Sequence, residues 1–164
     1  MMNKVLNGTP VSGKVVTVLI TVSIILCMIY ALIVYYTFAR LRPFSHNNIP
    51  IKNDEILCYV DANEKDEDGS NIIIGWAFYN NKLRIVNNHV VLEDIQTGNK
   101  YLAYTQMVKR DDVNNLYPGA MNSGYFARII EHKLNQSHDY KIYIFYQSDG
   151  ESFLIDTNTY INKG

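Results

Sequence analysis

The chain has 164 residues and a formal net charge of −1, so it lacks the basic excess that a general nucleic-acid binder needs. Its two cysteines, Cys27 and Cys58, fall in segments of opposite character and exclude a disulfide-stapled scaffold. One uncharged block, Val15 to Phe38, separates a short tail from a polar remainder sized for a single domain with its own core.

Residues 1–14 read as a short N-terminal tail. Within it "GTPVSGKV" (Gly8 to Val15) nearly spells a phosphate-binding loop. Val15 stands where the magnesium-binding hydroxyl belongs, and the residues before Gly8 are too few for a strand, so the match is read as chance.

Residues 15–39 read as a transmembrane helix. "VVTVLITVSIILCMIYALIVYYTF" holds no charge, Gly or Pro. As a helix it spans roughly 36 Å, enough to cross a hydrocarbon core of about 30 Å. A cleaved signal peptide has a shorter apolar core and small residues at its cleavage site; here Tyr35, Tyr36, Thr37 and Phe38 follow instead, which favours an uncleaved anchor. Tyr35 and Tyr36 suit the membrane interface, and Arg40 and Arg42 suit the headgroup level. Lys4 and Lys14 on one side face Arg40, Arg42 and Lys52 on the other, so flanking charge does not favour an internal N-terminus. The shortness of the tail does, and the expected orientation leaves the C-terminal domain outside the cytoplasm. Ser23, Cys27 and Ala31 recur every four residues, a spacing used in helix association.

Residues 40–54 read as a linker, broken by Pro43 and Pro50 with Asn47 and Asn48 as turn formers. Residues 55–164 read as an extracytoplasmic β-domain. "EILCYV", "NIIIGWAFY", "HVVLED", "KYLAYTQMV", "GYFARII", "DYKIYIFY" and "SFLID" are aromatic and β-branched runs. Asp68-Gly69, Asn80-Asn81, Thr97-Gly98 and Asp149-Gly150 supply turns, the last as a hairpin. About seven strands without a helical period predict an all-β fold, an immunoglobulin-like β-sandwich. In the second run, Ile72, Ile74, Trp76 and Phe78 share one face and Gly75 and Ala77 the other; Trp76 is expected in the core.

Several segments invite a chemical reading. "DANEKDEDGS" offers Asp61, Asn63, Asp66 and Asp68 as calcium ligands, but Lys65 occupies a ligand position and no flanking helices exist; a solvated hairpin loop is the alternative. His132 and His138 sit near each other beside Glu131 and Asp139, without the spacing of a zinc site. "GESF" lacks the second glycine of a nucleophile elbow. No catalytic residue, cofactor or metal is nominated, and a non-enzymatic binding or scaffold module is expected. Thirteen tyrosines suit sugar stacking or protein contact, and also suit strands.

The central segment "RDDVNNLYPGAMNSGY" is the richest. Arg110 and Asp112 share a face if the chain is extended there, and an Arg fork beside a carboxylate can tie the segment to a neighbouring strand. Tyr117, Pro118 and Gly119 form a turn, and Ser123-Gly124 opens the next strand with room for close backbone approach. Arg110, Asp112, Tyr117, Ser123 and Gly124 are therefore the residues of a structural or ligand loop.

"IIIGWAF", "VVLED", Arg110-x-Asp112-Val113, Tyr117-Pro118 and Ser123-Gly124-Tyr125 together resemble a bacterial extracytoplasmic β-sandwich domain. That domain occurs in glycosyltransferases and associated membrane proteins of cell-surface polysaccharide pathways. The likeness covers Ile72 to Tyr146; Tyr125 stands for the family's Phe, and Glu93-Asp94 departs from its turn. It implies an envelope setting and carries over no catalytic residue. The expected function is that of a single-pass accessory or binding protein, in contact with the bilayer and with a surface glycan or another envelope membrane protein. The alternative is a membrane-anchored interaction or immunity protein that excludes phage or toxin.

Overall fold

The computed structural model describes residues 13–39, 41–45, 49–54, 56–79, 86–130, 134–148 and 150–161. The chain divides into two units, Met1–Phe38 and Ala39–Gly164.

The apolar run forms helix α1 (Gly13–Ala39). Its span Gly13–Tyr36 is long and apolar enough to cross a membrane, with none of its most apolar stretch buried in the protein. The Thr17 and Thr21 hydroxyls donate to the carbonyls of Gly13 and Thr17, both at 3.0 Å, so these polar groups are satisfied within the helix, as a lipid environment requires.

The second unit is built from nine described strands: β1 (Arg42–Pro43), β2 (Ile56–Lys65), β3 (Asn71–Tyr79), β4 (Asn87–Asp94), β5 (Lys100–Leu102), β6 (Thr105–Val108), β7 (Gly124–Ile129), β8 (Tyr140–Ser148) and β9 (Glu151–Ile161), with a short helix α2 (Asp111–Leu116) between β6 and β7. They form two antiparallel sheets, β1-β5-β4-β8-β9 and β2-β3-β7-β6. The count exceeds the expected seven for two reasons. "KYLAYTQMV" is not one strand: Ala103 and Tyr104 carry the chain from one sheet to the other, held by Ala103 N–H to Val90 O at 2.9 Å. The second reason is β1, which lies in the expected linker and pairs with β5.

That linker is docked. Phe44 is buried and meets Phe145 edge-on at 5.1 Å, in a cluster with Val91, Tyr143 and Leu154 on the outer face of the five-stranded sheet. Backbone bonds of 2.9 Å join Lys52 to Leu154 and Leu154 to Pro50. Apolar Phe44 and Ile49 cover outward apolar strand residues, which outweighs the turn chemistry of the prolines between them.

The main core lies between the sheets. Val90, Leu92, Ile142, Ile144, Phe153 and Ile155 meet Ile73, Ala77, Tyr125, Ala127 and Ile129. Tyr125 explains the choice of small residues around it. Its fully buried side chain lies across Gly75 and donates its hydroxyl to Tyr59 O at 3.2 Å. A methyl group on Gly75 would collide with both that hydroxyl and that carbonyl. The inner positions of β3 therefore go to Gly75 and Ala77, and the bulky set Ile72, Ile74 and Trp76 points outward, only half-buried. Trp76 is thus half-buried against the margin of the core, beside buried Phe78, rather than within it as sequence alternation suggests.

The two sheets are also pinned by a polar joint. Asn88 is fully buried on β4. Its amide donates to Ala77 O at 2.9 Å and to Ser123 O at 2.8 Å, linking the five-stranded sheet to β3 and to the entry of β7.

Candidate functional site

The four-stranded sheet turns an apolar outer face away from the core. Antiparallel sheets with one open face normally alternate apolar-in and polar-out. Here Leu57 and Tyr59 on β2, Ile74 and Trp76 on β3, Phe126 on β7 and Val108 on β6 all point outward, with polar Gln106 beside Phe126 and Glu64 and Arg128 flanking Ile72 on the same face. Tyr59 is 60% exposed and Val108 37%. The rings form a continuous group: Tyr59 and Trp76 at 6.4 Å, Trp76 and Phe78 at 5.5 Å, and Tyr117 at 6.2 Å from Trp76 and 5.3 Å from Phe78. Tyr117 reaches this face from the end of α2, beside Leu116, which is 76% exposed. The outer face of the other sheet, by contrast, is covered by Phe44 and Ile49 and laced by the Glu93–Lys100 and Lys141–Asp156 ion pairs at 2.6 and 2.5 Å.

An arginine clamp crosses the middle of this face, reaching Asp61 at the level of Gly75 and Ile74. The Arg110 stem runs over Gly124, where a methyl group would sit 2.6 Å from its Cγ and 2.6 Å from Val108 O; glycine is required there for that passage. The guanidinium holds Asp112 in a fork, Nε to Oδ1 at 2.8 Å and Nη2 to Oδ2 at 2.5 Å, and its Nη1 pairs with Asp61. Asp61 is the extra residue of a bulge between Val60 and Ala62, which re-aims its side chain. The hydrogen bond from Arg110 is the main cause that pulls the Asp112 carboxyl down to about 2, while the same bond raises the guanidinium further above its ordinary range.

The segment carrying Arg110 is not extended as expected. Asp111–Leu116 is helical, with Arg110 at its N-cap and Val113 buried beneath it. Two carboxylates in the first turn favour that helix through its dipole, and the fork forms between the cap and the second helical residue. Pro118-Gly119 makes the turn, with Ala120 N–H bonded to Tyr117 O at 3.0 Å and Gly119 at φ 99°, the positive φ that a type II turn places at its third residue. Ser123 is buried, and its carbonyl accepts from Ala77 N–H at 3.1 Å as well as from Asn88.

A second clamp lies at the end of the sheet where β3 begins, beside Ile72. The Arg128 Nη2 donates to Asp66 at 2.9 Å and to Asp68 at 2.7 Å. The Ser70 hydroxyl and N–H bonds to Asp68, with help from Arg128, hold that carboxyl below its usual range. These contacts dissolve the calcium reading. Asp61 belongs to Arg110, Asp66 and Asp68 belong to Arg128, and Asn63 donates to Tyr160 O at 2.8 Å. Half of the acidic segment is not a loop either: Asp61 to Lys65 continue β2, and Asp66 to Ser70 make the turn. Solvent-facing charge is normal on an edge strand.

Among the described residues no cluster of three or more His, Cys, Asp or Glu is placed to hold a metal. His138 Nδ1 instead lies 2.8 Å from buried Asp94; Glu131 and His132 lie outside the described residues, as do Lys4, Arg40, Asn47, Asn48, Asn80 and Asn81. Tyr35 and Tyr36 sit edge-to-face at 5.8 Å near the end of α1 and are exposed. Arg42 is drawn into β1 opposite Leu102. Asn88 and Phe44 carry structural roles that periodicity does not single out.

No family model matches the chain, and no curated protein or solved structure matches it.

Proposed function

We propose that the protein is a single-pass accessory protein of the bacterial envelope, anchored by α1, whose extracytoplasmic domain acts by binding and catalyses no reaction. The observation that carries this reading is the open aromatic face of the four-stranded sheet, joined in one chain to a helix fit to span a bilayer. A contiguous exposed apolar surface on a small domain marks an interaction site, and Trp and Tyr are the side chains that interfaces favour. Surface-glycan assembly or recognition is the setting that the motif resemblance supports.

We assign the domain to the immunoglobulin-like sandwiches. The orders β2-β3-β7-β6 and β5-β4-β8-β9 follow the strand orders ABED and C′CFG of that fold. Tyr140, at the start of the strand that corresponds to F, accepts from Asn135 N–H at 2.8 Å, a hydroxyl-to-backbone tie like that of a tyrosine corner. Loops and faces of such sandwiches commonly carry binding.

Deletion of the gene tests the functional reading. The amount or chain length of surface polysaccharide should change, and wild-type protein should restore it where a Tyr59→Ser/Leu116→Ser variant does not. A change confined to phage or toxin sensitivity would move the protein to an exclusion role. Unchanged glycan and unchanged sensitivity would reject both.

A further inference from the structure

The outward side of the four-stranded sheet carries two kinds of group in adjoining rows. Tyr59 and Trp76 are cross-strand partners, with the Tyr117 ring 6.2 Å from Trp76. Further along β2, at the level of Gly75 and Ile74, Asp61 is held by Arg110, which also forks onto Asp112. The clamp is fixed in place by the passage of the Arg110 stem over Gly124, itself the cross-strand partner of Trp76. It is not saturated. Arg110 meets only Oδ2 of Asp61, Asp61 Oδ1 has no partner among the described residues, and the Asp112 side chain is 65% exposed. Gln106, exposed beside Phe126, likewise makes no side-chain hydrogen bond among the described residues.

We propose that this part of the face binds an uncharged oligosaccharide, with a sugar ring against Tyr59 and Trp76 and its hydroxyls on the Asp61–Arg110–Asp112 cluster. The inference deepens the binding reading above and rests on it. The position of the charge decides the class of ligand. A protein interface keeps its charge at the rim and is depleted of it at the centre, whereas here a charged cluster stands in the middle of the face. A polypeptide laid across it would take those carboxylates out of water with acceptor oxygens unpaired, which is costly. A pyranose offers a C–H face that matches an aromatic ring. Its hydroxyl donors match the open carboxylate oxygens, in charge-assisted bonds of the stronger kind. A few fixed polar groups beside an apolar surface are also how ligand sites set orientation. The cluster holds two carboxylates against one guanidinium, so it is net negative and disfavours a uronate- or phosphate-bearing sugar by like-charge repulsion.

Trp76 is the single tryptophan of the chain, so intrinsic emission reports on this site directly. The full-length chain would be titrated in polyoxyethylene-ether micelles, which carry neither charge nor sugar. The probes are the neutral hexasaccharides of glucose, mannose, galactose and N-acetylglucosamine, acidic hexagalacturonate, and an amphipathic Leu/Lys peptide. At least one neutral hexasaccharide should shift Trp76 emission saturably, and hexagalacturonate should bind at least about tenfold more weakly than it. The affinity of that sugar should fall about tenfold in Tyr59→Ser and about threefold in Gln106→Ala. Both changes lie at exposed positions, so the variants should fold, and an unchanged melting temperature would verify it. The proposal is overturned by a response to none of the neutral sugars, by hexagalacturonate binding as tightly as the best of them, by full affinity in both variants, or by saturable binding of the peptide alone. Each of those outcomes leaves the membrane-anchored accessory reading intact, because deletion and fractionation test that separately.

Discussion

Replacing Asn88 should cost far more than its size suggests. The side chain is wholly buried, and its amide protons hold two backbone carbonyls that belong to the opposite sheet and to the central segment, Ala77 O and Ser123 O at 2.9 and 2.8 Å. Both acceptors lie on one side of the amide, which fixes its orientation, since the flipped amide would set oxygen against oxygen. In Asn88→Ala two hydrogen bonds are lost, each worth about 1 kcal/mol net, and a small void is left, so destabilisation of about 2–4 kcal/mol is expected. Asn88→Asp keeps the volume but replaces both donors with an acceptor that must be protonated to fit. It should be worse than alanine at neutral pH and recover towards it in acid. Urea unfolding of the micelle-bound chain, followed by Trp76 emission, gives the difference from the shift in midpoint at constant slope. A cost for Asn88→Ala below about 0.5 kcal/mol, or an Asp variant no worse than Ala at neutral pH, would refute the idea that this amide joins the sheets.

Three further outcomes follow from the same geometry. Gly75→Ala should cost about 3 kcal/mol or more in thermal or urea melts, since one of its two obstacles is the Tyr59 backbone, and Tyr125→Phe, which costs about 1 kcal/mol alone, should not rescue it. The Asp112 carboxyl is lowered from an ordinary value near 3.8 to about 2, so its pairing with Arg110 contributes stability that is fully present above about pH 4 and is lost as the pH falls through about 2; in acid melts the Asp112→Asn variant should lack that part of the slope, and an identical slope would contradict the fork. Burial pushes the Cys58 thiol up to about 12, so at pH 8 it should react with iodoacetamide much more slowly than in urea, and equal rates would place it in solvent.

How far the sequence discloses this molecule varies by element. The apolar helix is plain because lipid imposes a simple rule, length without charge. Most strands are plain because β-branched and aromatic residues recur between turn formers. The facing of β3 is not, since "NIIIGWAFY" is apolar on both sides, and the side that turns inward is decided by the bulk of Tyr125, fifty positions later on β7. The switch of sheets at Ala103 is invisible for a similar reason: the run keeps its strand character while its partners change. The Arg110–Asp112 pair can be guessed from spacing, but its third member, Asp61, arrives through a bulge in a distant strand. Arg128 between Asp66 and Asp68 is likewise a product of register, and it turns a cluster that looks cation-binding into an ion-paired rim.

Protease treatment of intact cells, read with carbonate extraction of their membranes, tests the central claim most directly. The account predicts that the chain stays with the membrane through carbonate and that the domain of residues 55–164 is cut away before the cells are lysed. Release by carbonate, or a domain that is cut only after lysis, would contradict it.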